Sequence, residues 1–309
     1  MENTYSRHRE SQDGLTRSNT SMYSWYTKRT EDSRIMPIHL LVIILAAAQE
    51  LIVLENQALR LEIDPAIATI RCVAPKTGMN WLESLQLPDT EESSGDKVEP
   101  SGFSTALILK ENQRVIPFRG PAQVLRKSPL SVVLLTPESS DLPLRLQQEI
   151  RLIRNTSLIR YTVTALNPGA EPITAALRNT AQLPLNVTIR SNRSDGTLRP
   201  LSGANSNNPV VAKVLEYWHI AIPPSPSVGG EASFGDFIPE ITIHRGDDVW
   251  QRQILTMPES AEDSPEQCSF TCRLDDVRHV YSASLQSEFA VVSVAEPLVF
   301  AEEWRLGGR

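Results

Sequence analysis

The chain has 309 residues, of which 40% are hydrophobic and 22% charged, enough apolar material for a sizeable core beneath an ordinary soluble surface. Its formal net charge of −7 argues against a general nucleic-acid binder, which needs a basic face to displace counterions. Three cysteines are too few for a disulfide scaffold.

Residues 1–35 are polar, rich in Ser, Thr and Arg, and have no apolar period; they read as a disordered tail whose translation the sequence does not decide. Residues 36–48 form an apolar run. Spanning a bilayer takes roughly 20 apolar residues, so the run is short for a membrane helix. It suits the h-region of a secretory signal closing on Ala46-Ala47-Ala48, with Lys28, Arg29 and Arg34 as the basic flank if translation starts at Met22. The expectation is a periplasmic or secreted protein that begins near Gln49 and meets a membrane only through an uncleaved signal.

From Gln49 onward strand succeeds strand. Leu59, Leu61 and Ile63 alternate with Arg60 and Glu62, the period-two signature of a half-buried strand. The same alternation runs from Leu144 to Leu152, over Ser157–Leu166 and over Leu185–Ile189. Further runs lie at Ser104–Leu109, Ser131–Leu135, Val210–Ile222, Ile241–His244, Val249–Thr256, His279–Leu285 and Glu288–Phe300. Turn markers separate them, among them Asp64-Pro65, Lys76-Thr77-Gly78, Asn167-Pro168-Gly169, Ser194-Asp195-Gly196 and Pro223-Pro224. No segment after residue 50 offers an amphipathic helix with caps at both ends. The fold class expected is all-β: one large antiparallel β-sandwich over residues 49–309, with little helix.

The order of these pieces resembles the galactose-mutarotase-like β-supersandwich. The segments that carry the resemblance are LENQALRLEIDPAIATIRCVAPKTGMNWLE near the start, LRLQQEIRLIRNTSLIRYTVTALNPGAEPITAALRNTAQLP in the middle and FAVVSVAEPLVFAEEWRL at the end. It looks closest to the uncharacterised bacterial DUF4380-type families of that fold. The resemblance implies sugar bound on the face of one large sheet. It does not carry catalysis across, because the paired histidines of mutarotases are not matched and the acidic residue before the last Pro-Leu is reduced to Glu296.

Sugar recognition needs an aromatic face for C–H stacking and planar polar groups for paired hydroxyls. The candidates on strands are Arg71, Asn80, Trp81, Arg178, Gln182, Trp218 and His219. Arg178 and Gln182 are four apart, hence on one strand face. Arg71 is expected opposite Ile70 and Cys72, and Cys72 reads as a buried strand residue. His219, His244 and His279 have no metal-ligand spacing, so neither a metal nor another cofactor is expected. Cys268 and Cys272 would lie about 13 Å apart on a straight strand and could bond only across a turn. Neighbouring carboxylates such as Asp247-Asp248, Asp275-Asp276 and Glu302-Glu303 alternate faces, which makes poor acid–base dyads and suggests solvated turns. Asn155, Asn186 and Asn192 head glycosylation sequons.

The reading that results is an exported protein that recognises carbohydrate without evident catalysis of its own. An epimerase or glycan-cleaving enzyme, and an adhesive or structural envelope protein, are the alternatives.

Overall fold

The computed structural model describes residues 50–82, 102–118, 120–139, 142–191, 198–200, 210–214, 217–221, 231–234, 240–256, 269–275 and 280–308. These belong to one compact unit, Val42–Arg309. The signal-like run, the turns at 194–196 and 223–224, Asn192 and Cys268 lie outside the described residues.

The described residues contain strands and no helix. In chain order the strands are β1 (Ile52–Glu55), β2 (Leu59–Asp64), β3 (Thr69–Pro75), β4 (Phe103–Leu109), β5 (Val115–Pro117), β6 (Gln123–Ser128) and β7 (Ser131–Leu135). They continue with β8 (Arg145–Leu152), β9 (Leu158–Leu166), β10 (Ile173–Leu183), β11 (Thr188–Ser191), β12 (Leu198–Pro200), β13 (Val210–Val214) and β14 (Tyr217–Ala221). The last are β15 (Glu231–Phe234), β16 (Glu240–Arg245), β17 (Asp248–Ile254), β18 (Ser269–Asp275), β19 (Val280–Gln286), β20 (Ala290–Val292) and β21 (Leu298–Gly308).

They form two antiparallel sheets. The first has the order β1-β2-β3-β4-β10-β19-β18-β15-β12, with β20 on β10 and β5 on β4; the second has the order β13-β14-β11-β16-β17-β21-β9-β8-β7-β6. Alternation decides which side chains lie between the sheets. In β8 the pattern is strict: Leu146, Gln148, Ile150 and Leu152 are buried while Arg151 is exposed. The core joins residues of both sheets. At its centre the ring of Phe103 from the first sheet meets Tyr161 at 5.0 Å and Trp304 at 4.5 Å from the second, both edge-on.

Some expected boundaries move. Leu185 and Asn186 occupy a turn, and the strand begins at Thr188, because Pro184 lacks the N–H a ladder requires. The single run Val210–Ile222 is two strands, β13 and β14, paired antiparallel with each other. The run Glu288–Phe300 is likewise interrupted. Ser293 accepts from Glu296 N–H through Oγ and donates its own N–H to the Glu296 carbonyl, closing a tight turn before β21.

The most consequential departure is in β3. The β2–β3 register shifts between Glu62 and Ile63, so Glu62 pairs with Cys72 but Ile63 pairs with Ile70, leaving Arg71 as the extra residue of a bulge. Ile70 and Cys72 therefore lie on opposite faces, not together. Ile70 is 2% exposed in the core, whereas Cys72 is half-buried on the outer side beside Glu62.

Candidate functional site

β10 runs through the middle of the first sheet, hydrogen-bonded to β4 on one side and β19 on the other. Its inward residues Ala175, Leu177, Asn179, Ala181 and Leu183 are buried in the inter-sheet core or its polar centre. The intervening Arg178, Thr180 and Gln182 therefore face outward, away from the second sheet. Register places polar neighbours beside each: Arg178 between Ala106 and Gln286, Thr180 between Ser104 and Ser284, and Gln182 beside Ser282. The result is an outward face dense in amides and hydroxyls at the centre of a sheet.

These groups are linked. Arg178 donates to Gln286 Oε1 from Nη2 at 3.0 Å and from Nε at 3.4 Å. The Thr180 and Ser284 hydroxyls lie 2.9 Å apart. Gln182 is only 3% exposed, and its Oε1 has no hydrogen-bond partner among the described residues. A buried amide oxygen without a donor costs about 1–3 kcal/mol.

Gly102 lies against Gln182, whose N–H donates to the Gly102 carbonyl at 2.8 Å. A Cβ at Gly102 would stand 2.3 Å from the Ile70 carbonyl oxygen and 3.4 Å from Arg71 Cα, and φ is +102°. The close approach of β3 and β4 thus requires glycine. Next to it, Arg71 makes an ion pair with Asp64 Oδ2, while Asp64 Oδ1 accepts from Ala66 N–H at 2.9 Å. Both oxygens of this carboxylate are engaged.

The sequence candidates are thus sorted. Arg178 and Gln182 share one face, with the Arg71–Asp64 pair near the Gln182 end. Asn80 instead holds backbone: Oδ1 accepts from Val73 N–H at 2.9 Å and Leu82 N–H at 3.1 Å, and Nδ2 donates to the Arg71 carbonyl at 3.1 Å. Trp81 is fully buried against Trp250, ring centroids 6.2 Å apart, and offers no face to a ligand. His219 belongs to the second sheet, where its backbone pairs in register with Arg190, and Trp218 pairs beside it with Ser191. The side chains of both lie outside the described part of the molecule. Cys272 is buried in β18.

Sequence reasoning missed a group lying directly beneath this face. Glu302 is not a solvated turn residue but a buried strand carboxylate, and Arg252, also fully buried, is its partner. Arg252 donates from Nε to Glu302 Oε2 and from Nη2 to Oε1, both at 3.0 Å. Trp304 Nε1 and Asn179 Nδ2 each donate to Glu302 at 2.8 Å. The same guanidinium reaches the Ala283 carbonyl at 3.0 Å and the Asn179 carbonyl at 3.2 Å. Thr105 donates to Asn179 Oδ1 at 2.7 Å, so the Tyr161 hydroxyl, 2.7 Å away, must donate to Thr105. Burial pushes the Tyr161 phenol above its ordinary 10.0 and keeps it a donor. Period-two parity was the available signal: Arg252 alternates in phase with Trp250 and Ile254, and Glu302 with Phe300 and Trp304.

Among the described residues no group of three or more His, Cys, Asp or Glu side chains could hold a metal ion.

Solved structures share this architecture at low sequence identity. A candidate aldose 1-epimerase from Escherichia coli K12 superposes with a TM-score of 0.60 at 11% identity, over 84% of this chain and 99% of that one. A galactose mutarotase related enzyme from Lactobacillus acidophilus gives 0.56 at 9%, over 84% and 98%. A galactose mutarotase-like protein from Lactobacillus casei gives 0.51 at 13%, over 84% and 100%. The chain therefore has the galactose mutarotase-like fold. No family model and no curated protein matches it by sequence.

Proposed function

We propose that this protein recognises carbohydrate on the outward face of its first sheet, through Arg178, Thr180 and Gln182 with the Ser282, Ser284 and Gln286 row beside them. The observation that carries the reading is the linked row of amides and hydroxyls at the centre of the sheet, Arg178 on Gln286 and Thr180 on Ser284, with Gln182 beside them. The fold shared with mutarotase-like proteins supports the same ligand class. The DUF4380-type affiliation and export from the cytosol rest on the sequence patterns alone.

Binding without turnover is the better reading. Among the described carboxylates, Asp64 adjoins this face through Arg71, and it has one oxygen on Arg71 and the other on the Ala66 N–H, so both are already engaged.

A glycan array probed with the full chain tests the proposal, with Gln182→Ala and Arg178→Ala run alongside. Binding that is lost in Gln182→Ala supports the face. Absence of binding to any glycan, or equal binding by both variants, defeats it. Polarimetry on the bound sugars separates recognition from catalysis: accelerated anomer exchange would make the protein an epimerase.

A further inference from the structure

The outward face of the second sheet carries a different chemistry. Arg151 of β8 stands directly opposite Arg160 of β9. Like charges in that relation destabilise a sheet, so the pair is a cost the fold does not need. Both side chains are more than half exposed, at 54% and 56%. Arg154 is exposed in the turn joining these two strands, and Arg305 is exposed on β21 opposite Leu158. Arg126, 61% exposed on β6, lies on the other flank.

Two carboxylates are interleaved and leave much of this charge uncompensated. Glu149 lies 3.2 Å from Arg126 Nη2 and 3.9 Å from Arg151 Nη2, the latter beyond hydrogen-bond range. Glu303 takes only the Nε of Arg160, at 3.3 Å. Among the described residues these five guanidinium groups are met by Glu149 and Glu303 alone, in a chain whose net charge is −7. The large aromatics of these strands, Tyr161, Trp250, Phe300 and Trp304, all point into the core.

We propose that this face binds an anionic polysaccharide, held by its carboxylate groups. Guanidinium forks suit planar carboxylates. Neighbouring strands about 4.8 Å apart carry the arginines from β6 across to β21, a run longer than one sugar. The spacing fits a sparse polyanion better than duplex DNA, which presents one charge per about 1.7 Å. Single-stranded nucleic acid would want exposed aromatic platforms, and the aromatics named above are all turned inward.

The test measures binding of the full chain to immobilised polygalacturonate, with neutral dextran and duplex DNA as comparison polymers. The expected result is binding to polygalacturonate that weakens as salt is added and exceeds that to both other polymers. The double variant Arg151→Ala/Arg160→Ala should lose about tenfold or more in affinity. Its melting temperature should stay at or above that of the parent, because the like-charge pair is gone. The double variant should bind neutral glycans as the parent does, which separates this surface from the neutral-sugar face. Absence of binding at low salt, equal binding by the double variant, or tighter binding to DNA would overturn the proposal.

Discussion

Arg252 and Glu302 form a fully buried ion pair on the inward side of the second sheet, and the arginine bonds across to the backbone of the first. The carbonyls it reaches belong to Asn179 and Ala283. Asn179 lies between Arg178 and Thr180 on β10, and Ala283 lies between Ser282 and Ser284 on β19, all four of them residues of the candidate sugar face. One guanidinium therefore ties the two central strands together under the site. Its charge is tolerated because it is matched by the carboxylate and by backbone acceptors, with Trp304 and Asn179 completing the carboxylate's shell.

Removing either partner strands the other in the core. Glu302→Gln and Arg252→Met are each expected to cost about 3–5 kcal/mol of folding stability. Urea denaturation monitored by tryptophan fluorescence measures it. The double variant Arg252→Met/Glu302→Leu should lose less than the sum, and additive losses would show that the two residues are not coupled.

Gly102→Ala should destabilise by well over the roughly 1 kcal/mol usual for a mismatched glycine site, since the new methyl meets the Ile70 carbonyl oxygen at 2.3 Å. Moving β4 away would also disturb the bond from Gln182 N–H to the Gly102 carbonyl. A variant that keeps the parental denaturation midpoint would contradict this account of the β3–β4 approach.

Asn56 joins the β1–β2 connection to the β8–β9 turn. Its Nδ2 donates to the Ile153 and Thr156 carbonyls, both at 3.0 Å, and its Oδ1 accepts from Ala58 N–H at 2.8 Å and Leu59 N–H at 2.7 Å. Asn56→Ala forfeits all four bonds and should cost about 1–3 kcal/mol. Asn56→Asp keeps the acceptor but turns a negative charge toward two carbonyls, so it should not restore stability. Calorimetric melting of the two variants decides the point.

Burial raises the Cys72 thiol from its ordinary 9.0 to about 11, with the Glu62 carboxylate adding to the shift. Alkylation of Cys72, read by peptide mass spectrometry, should show a rate midpoint near pH 11 rather than near 9. The unfolded chain loses this proton first, so the thiol's contribution to stability is intact below pH 9 and declines as pH rises toward 11. A rate midpoint at the ordinary value would mean that the thiol is solvated in the fold.

Fold class was legible in the sequence because period-two alternation is a local property. Where a strand keeps strict alternation, as β8 does, burial follows position parity, and it places even Gln148 inside while Gln147 is less buried. The same parity placed Arg178 and Gln182 on one face. The bulge at Arg71 was not legible, since one extra residue in a ladder leaves no mark in hydrophobic pattern yet reverses the face of the residues beyond it. Trp81 and Asn80 were indistinguishable from ligand groups for a related reason. A tryptophan or an amide serves a sugar or a core equally well, and only its neighbours decide.

By itself the sequence determined the fold class, all-β and antiparallel, through steric alternation along each extended strand. Only the tertiary structure decided the pairings that make sites. It brought Arg252 to Glu302 across 50 residues, and Gln182 to Gly102 from a distant part of the chain. It set Arg151 opposite Arg160 by folding a hairpin, and Glu303 beside Arg160 across 143 residues. Hydrogen bonds and charge pairs act over a few ångströms in space. Distance along the chain carries almost no information about which polar groups will come that close.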